Sequence, residues 1–212
     1  MRLPSQVTPQ HRISRRSLVG AAILLPLLAC WPARGQSSAP DNAVQRVIEA
    51  ARAQTRVTRF YDPAYVKLAY PGGDPEPDRG VCSDVVVRAL RAGGVDLQRA
   101  VHEDMARNFS TYPHLWGLRA PDANIDHRRV ANLMVFFKRR GKSLPITNRD
   151  RDYRPGDIVA WDLGSGLLHL GVVVDNPVNP SGDRALVHNI GAGARSEDVL
   201  FRWPIIGHYR YF

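Results

Sequence analysis

The chain has 212 residues, 44% hydrophobic and 23% charged, with a mean hydropathy of −0.28, so it can bury a core and is neither disordered nor fibrous. Its 16 prolines and 17 glycines are too many for a helical bundle and too scattered for a low-complexity chain. The formal charge of +9 suggests a nucleic-acid binder until it is divided: five arginines and no acid fall in residues 1–35, which leaves 24 basic and 20 acidic side chains, a net +4, on the other 177 residues. A single loop-rich α+β domain is expected, without a nucleic-acid partner.

The predicted elements begin with an export signal over residues 1–35. Only basic charge occurs up to Ser17, Leu18 to Ala29 is an apolar run interrupted by Pro26, and small polar residues follow from Ala33. The run is too short for the roughly 20 residues a stable membrane helix needs. Ser14-Arg15-Arg16-Ser17-Leu18 resembles a twin-arginine signal. Cleavage after Gly35 is preferred; the competing reading takes Leu27-Leu28-Ala29-Cys30 as a lipobox, with a lipid anchor on Cys30. Either route removes Cys30 from the folded domain and leaves Cys82 as its lone thiol, in a compartment where unpaired cysteines are candidate reactive groups.

Residues 36–54 form an N-terminal helical segment, capped by Asp41 or Asn42 and running to about Arg56, with Val44, Val47, Ile48 and Ala51 at helical spacing. The domain proper spans 55–212. Residues 71–80 form a loop, Val81 to Ala92 a helix stopped by Gly93-Gly94, Leu97 to about Asn108 a second helix, and Asp126 to Arg140 a third, capped by Asp126 and ended by Gly141. Strands follow at Ile158 to Asp162, Leu167 to Asp175, Ala185 to Ile190 and Ile205 to Tyr211, the first two joined by a hairpin loop at Leu163 to Gly166. Helices first and an antiparallel meander last predict helices packed on one sheet.

Cys82 falls in the first turn of its helix, where free N–H groups and the helix dipole favour a thiolate. A cysteine nucleophile needs an imidazole to take its proton and a third group to orient that imidazole. His169 and His188 each stand in an apolar strand, where histidine has no packing advantage over valine. Gly171 would share a face with His169 and leave room beside its ring, and adjacent strands would bring the two imidazoles together. His188 is therefore the expected orienter, with Asn189 on the opposite face as the alternative. The stretches His102-Glu103-Asp104 and Asp126-His127 match no structural zinc spacing, so neither metal nor cofactor is expected.

Tyr70-Pro71-Gly72-Gly73, Gly80-Val81-Cys82-Ser83-Asp84-Val85, Arg154-Pro155-Gly156-Asp157-Ile158-Val159 and His169-Leu170-Gly171-Val172-Val173 resemble, in order, the landmarks of NlpC-type papain-like cysteine peptidases of bacterial cell walls. Gly80 to Val85, Val101-His102-Glu103-Asp104-Met105 and Asn124 to Val130 resemble more closely the YijF-like family of exported bacterial proteins, itself similar to those peptidases. The resemblance implies a papain-like fold, with Cys82 as nucleophile, His169 as base and His188 as third member. It also implies a cell-wall or related envelope peptide as substrate; the leader leads to the expectation of a periplasmic or membrane-surface location, and a monomer is expected. Tyr70 matches a tyrosine that those enzymes keep near the nucleophile. Ser83, Asp84, Asn189, Arg128 and Arg129 are the further candidates for holding substrate or the oxyanion, the two arginines by gripping a carboxylate. Where the peptidases have Asp-Cys-Ser-Gly, Val81 and Asp84 depart from the pattern, and a carboxylate two residues from the thiol would raise its pKa.

Overall fold

The computed structural model describes residues 39–175 and 184–212; the expected leader, both cleavage readings and Cys30 lie outside them. Four α-helices pack on one face of a five-stranded antiparallel sheet, so the expected α+β arrangement is present. No helix among the described residues is long and apolar enough to cross a membrane.

Helix α1 (Ala39–Val57) turns Val47, Ile48 and Ala51 into the core against α2 (Cys82–Ala92). Almost all of α2 is buried, as its run of valines, alanine and leucine requires. It ends where Val95 N–H reaches back to the Leu90 carbonyl and Gly94 takes φ +98°, a left-handed conformation costly for a side chain with a Cβ. Asp96 caps α3 (Leu97–Asn108) by accepting from the Gln98 and Arg99 N–H groups.

The expected third helix is divided in two. A 3₁₀ turn spans Asp126–Arg128, Arg129 is extended at φ −102° and ψ 117°, and α4 (Val130–Arg139) follows. Asp126 does not cap a helix: its carboxylate accepts from the Asp122 N–H at 2.7 Å and faces His102 Nδ1 at 3.0 Å. Arg128 is drawn out of helical register by the groups it binds inside the molecule.

Two very short strands, β1 (Phe60–Tyr61) and β2 (Arg79–Gly80), pair in parallel and set Tyr61 opposite Gly80, two residues from Cys82. The main sheet has the order β6-β5-β4-β3-β7 and contains β3 (Ile158–Asp162), β4 (Leu168–Val174), β5 (Ala185–Asn189), β6 (Ala194–Glu197) and β7 (Ile205–Tyr209). Strand β6 was not expected, because its Ala-Arg-Ser-Glu sequence has no apolar alternation. Strand alternation divides the core. Ile158, Ala160, Leu170 and Val172 face the helices, whereas Val159, Trp161, Val173 and Leu186 join Tyr153, Val199 and Leu200 on the other face.

Candidate active site

His169 and His188 lie on that second face. His169 pairs across the hairpin with Trp161, whose indole stacks on it at a centroid distance of 5.6 Å and an interplanar angle of 26°, and Trp203 stands edge-on to both imidazoles. A Cβ on Gly171 would come within 3.0 Å of the Trp161 indole. The glycine therefore makes room for the tryptophan that holds the imidazole, one step removed from the expected role.

The two histidines are hydrogen-bonded, His169 Nε2 to His188 Nδ1, at 2.9 Å. His188 Nε2 lies 3.0 Å from Glu197 Oε2, an ion-pair separation. The carboxylate favours a proton on His188 Nε2. His188 Nδ1 then accepts, His169 Nε2 donates, and His169 Nδ1 is left with the lone pair, the state a base requires. Burial, with His188 beside it, pushes the His169 imidazole down to about 3, so it is neutral at ordinary pH. Burial also lowers His188, against the pull of Glu197.

The backbone N–H groups of Leu170, one residue along β4 from His169, of Ser83 and of Cys82 itself lie near the Cys82 sulfur and favour its thiolate. The β4–β5 register runs from Val174↔Ala185 to Val172↔Val187, while β4 continues beside β3 as far as Leu168, so the start of α2 meets β4 where its pairing with β5 has ended. No hydrogen bond joins the thiol to His169 among the described residues. Cys82 is 5% exposed, and burial, reinforced by Asp84, pushes its thiol up to about 11. The expected lowering by the helix terminus is thus overturned: desolvation outweighs the N–H groups that favour the anion.

Several other candidates have structural duties. Asp84 is fully buried; it accepts from the Val81 N–H at 2.7 Å and grips Arg128 through two bonds of 2.9 and 3.0 Å. Arg128, 5% exposed, also donates to the Ala64 and Asp62 carbonyls, so it is not free to hold a substrate carboxylate. Ser83 Oγ donates to the Arg128 carbonyl at 2.6 Å. Asn189 Nδ2 donates to Gly80 O at 2.9 Å and to Phe60 O at 3.3 Å, bracing the turn before Cys82, whereas it is His188 that bonds to His169. Arg129 lies over the Trp116 ring at 4.1 Å. Tyr70, 45% exposed, packs edge-on to His102 at 5.3 Å and has no contact that ties it to the thiol. The tyrosine beside Cys82 is Tyr61, whose phenol is raised by burial and by the nearby Cys82 and Asp84. Neither Tyr61 nor Glu197 was anticipated. The β1–β2 pairing brings in the first and β6 the second, and both elements are too short or too polar to read from pattern.

Residues 48–211 match the family described as a domain of unknown function, DUF1287. The chain is also 52% identical over 198 residues to the "Uncharacterized protein YijF" of Escherichia coli strain K12, covering 89% of this chain and 96% of that protein. Cys82, Asp84, Arg128, His169 and His188 all lie within the matched span, and the chain belongs to the DUF1287 family.

Proposed function

We propose that the protein is an exported papain-like cysteine hydrolase of the NlpC type that cleaves an amide bond in peptidoglycan peptide or a related cell-envelope substrate. The observation that carries this reading is the chain from buried His169 and His188 to the partly exposed Glu197, which selects the tautomer of His169 and ends beside the peptide near the Cys82 sulfur. Cys82 attacks the scissile carbonyl carbon as its proton passes to His169 Nδ1; a C–S bond forms and the carbonyl becomes an oxyanion. The N–H groups at the start of α2 are the donors offered to that oxyanion, and Tyr61, whose phenol feels the Cys82 charge, is the further candidate. Collapse breaks the C–N bond, the amine leaves with the proton from His169, and water, deprotonated by His169, hydrolyses the thioester.

The resting pair is neutral thiol and neutral imidazole, and the two groups must close on each other when substrate binds, as apo sites commonly require. The papain-like fold and an export route through residues 1–35 belong to the same proposal, as do a monomeric state and, on the competing cleavage reading, a lipid anchor at Cys30. The raised thiol pKa is also the observation that favours the rival reading, a non-catalytic module of this fold that binds anionic envelope polymers. Incubation with peptidoglycan and mass spectrometry of the released fragments separates the two. The hydrolase releases peptide fragments that Cys82→Ala does not, and identical fragment patterns overturn it.

A further inference from the structure

A cleft of about 300 Å³ opens on the far side of His188 from His169, floored by His188 and the backbone of Gly191 to Gly193 and walled by Arg195, Arg202 and Trp203. The strand register sets Arg195 directly opposite His188, hence on the same face of the sheet. The Arg202 guanidinium lies 5.1 Å from the centre of the Trp203 ring, and its charge reaches His188. The carboxylate in the cleft, Glu197, is already engaged with His188. Among the described residues neither arginine has an ion-pair or side-chain hydrogen-bonding partner, and both are exposed.

The geometry points to this cleft as a subsite for a carboxylate on the molecule that the protein acts on, with Arg195 and Arg202 as the residues that select it. The inference rests on the hydrolase reading for the identity of that molecule as a peptide substrate, although the binding itself needs no chemistry. Two cations that converge on a cleft with one committed acid prefer an anion, and guanidinium matches carboxylate through paired N–H donors. Stacking on Trp203 restrains one fork before the ligand arrives. The basic group expected at Arg128 is thereby replaced by two arginines on the opposite side of the imidazole chain.

Binding is measured on the folded Cys82→Ser protein, so that turnover does not contribute. The probes are N-acetyl-alanyl-glutamate amide and its glutamine counterpart, which differ by one carboxylate. In NMR titrations the glutamate peptide is expected to shift the Trp203 indole and Gly191–Gly193 signals and to bind about tenfold more tightly at low salt. Arg202→Gln and Arg195→Gln should each erase most of that preference, while Arg151→Gln, on a separate cleft, should leave it intact. Equal affinity for the two peptides, shifts elsewhere, or an equal loss from Arg151→Gln overturns the subsite. Charge selection that persists when Cys82→Ala and wild type release identical peptidoglycan fragments refutes the hydrolase and keeps the subsite.

Discussion

Two buried strand histidines, His188 and His208, each lie beside a carboxylate, yet the rest of their surroundings differ. His208 Nε2 meets Asp157 at 2.8 Å and its Nδ1 meets the Pro145 carbonyl at 3.1 Å. Asp157 is itself buried and receives two bonds from Arg210, each 2.7 Å long. All these groups are committed, and the cluster fastens β7 to the start of β3. His188 instead passes its second nitrogen to another imidazole and faces a Glu197 side chain that is 37% exposed. A carboxylate beside a histidine does not mark a proton-handling site. Where the other ring nitrogen leads is what distinguishes the two.

The largest expected effect tests that distinction directly. His169→Gln should lower turnover about a thousandfold with little change in melting temperature, whereas His208→Gln should keep turnover within about threefold and melt earlier. Equal loss of turnover in a folded His208→Gln protein breaks the comparison. Stability should separate the two carboxylates in the opposite direction. Asp157→Asn removes a buried carboxylate from a buried histidine and a partly buried arginine and should cost about 3–5 kcal/mol in urea unfolding, while Glu197→Gln, at a partly hydrated site, should cost less than about 1 kcal/mol.

His127 sharpens the contrast, because among the described residues neither of its ring nitrogens has a partner, and burial pushes its imidazole down to about 4. The unfolded chain, with its histidine near 6.5, takes up that proton first. The associated stability is therefore whole above pH 6.5 and is lost as pH falls towards 4, by about 3 kcal/mol. Urea midpoints across that window should fall less steeply in His127→Leu, and an identical slope rejects the assignment. At the thiol, iodoacetamide should label folded protein at pH 8 at least about tenfold more slowly than denatured protein, and labelling should accelerate as pH approaches 11, where the thiolate forms. Equally fast labelling at pH 8 would show that the nucleophile side is as open as the Glu197 side.

Elements whose pattern is local were legible in the sequence. Helices α2 and α3 carry their apolar faces and their glycine or aspartate punctuation within a few residues, and β3 to β5 are continuous apolar runs. The break before α4 was not legible, because Arg128 leaves the helix for Asp84, 44 positions away. The same distance hid the true role of Arg128: a sequence shows a charge without showing what neutralises it. His169 and His188 were recognisable because histidine is out of place in such strands. Glu197 had no such contrast on a polar edge strand, and Tyr61 became a neighbour of Cys82 only through two-residue strands that no periodicity can announce. Tyr70 was the expected tyrosine, but it turns to His102 instead.

The Leu170 amide has a use beyond positioning. In a continuous β4–β5 ladder an N–H at this point would be expected to seek a backbone carbonyl; here the pairing has ended and the amide lies near the sulfur, whose thiolate it favours. A thiol, a thiolate, a thioester and an alkylated sulfur differ in how well they accept a hydrogen bond, so each sets a different proton shift and exchange rate at this one amide. The fold thus carries an intrinsic spectroscopic gauge of its own cysteine, readable in unmodified protein.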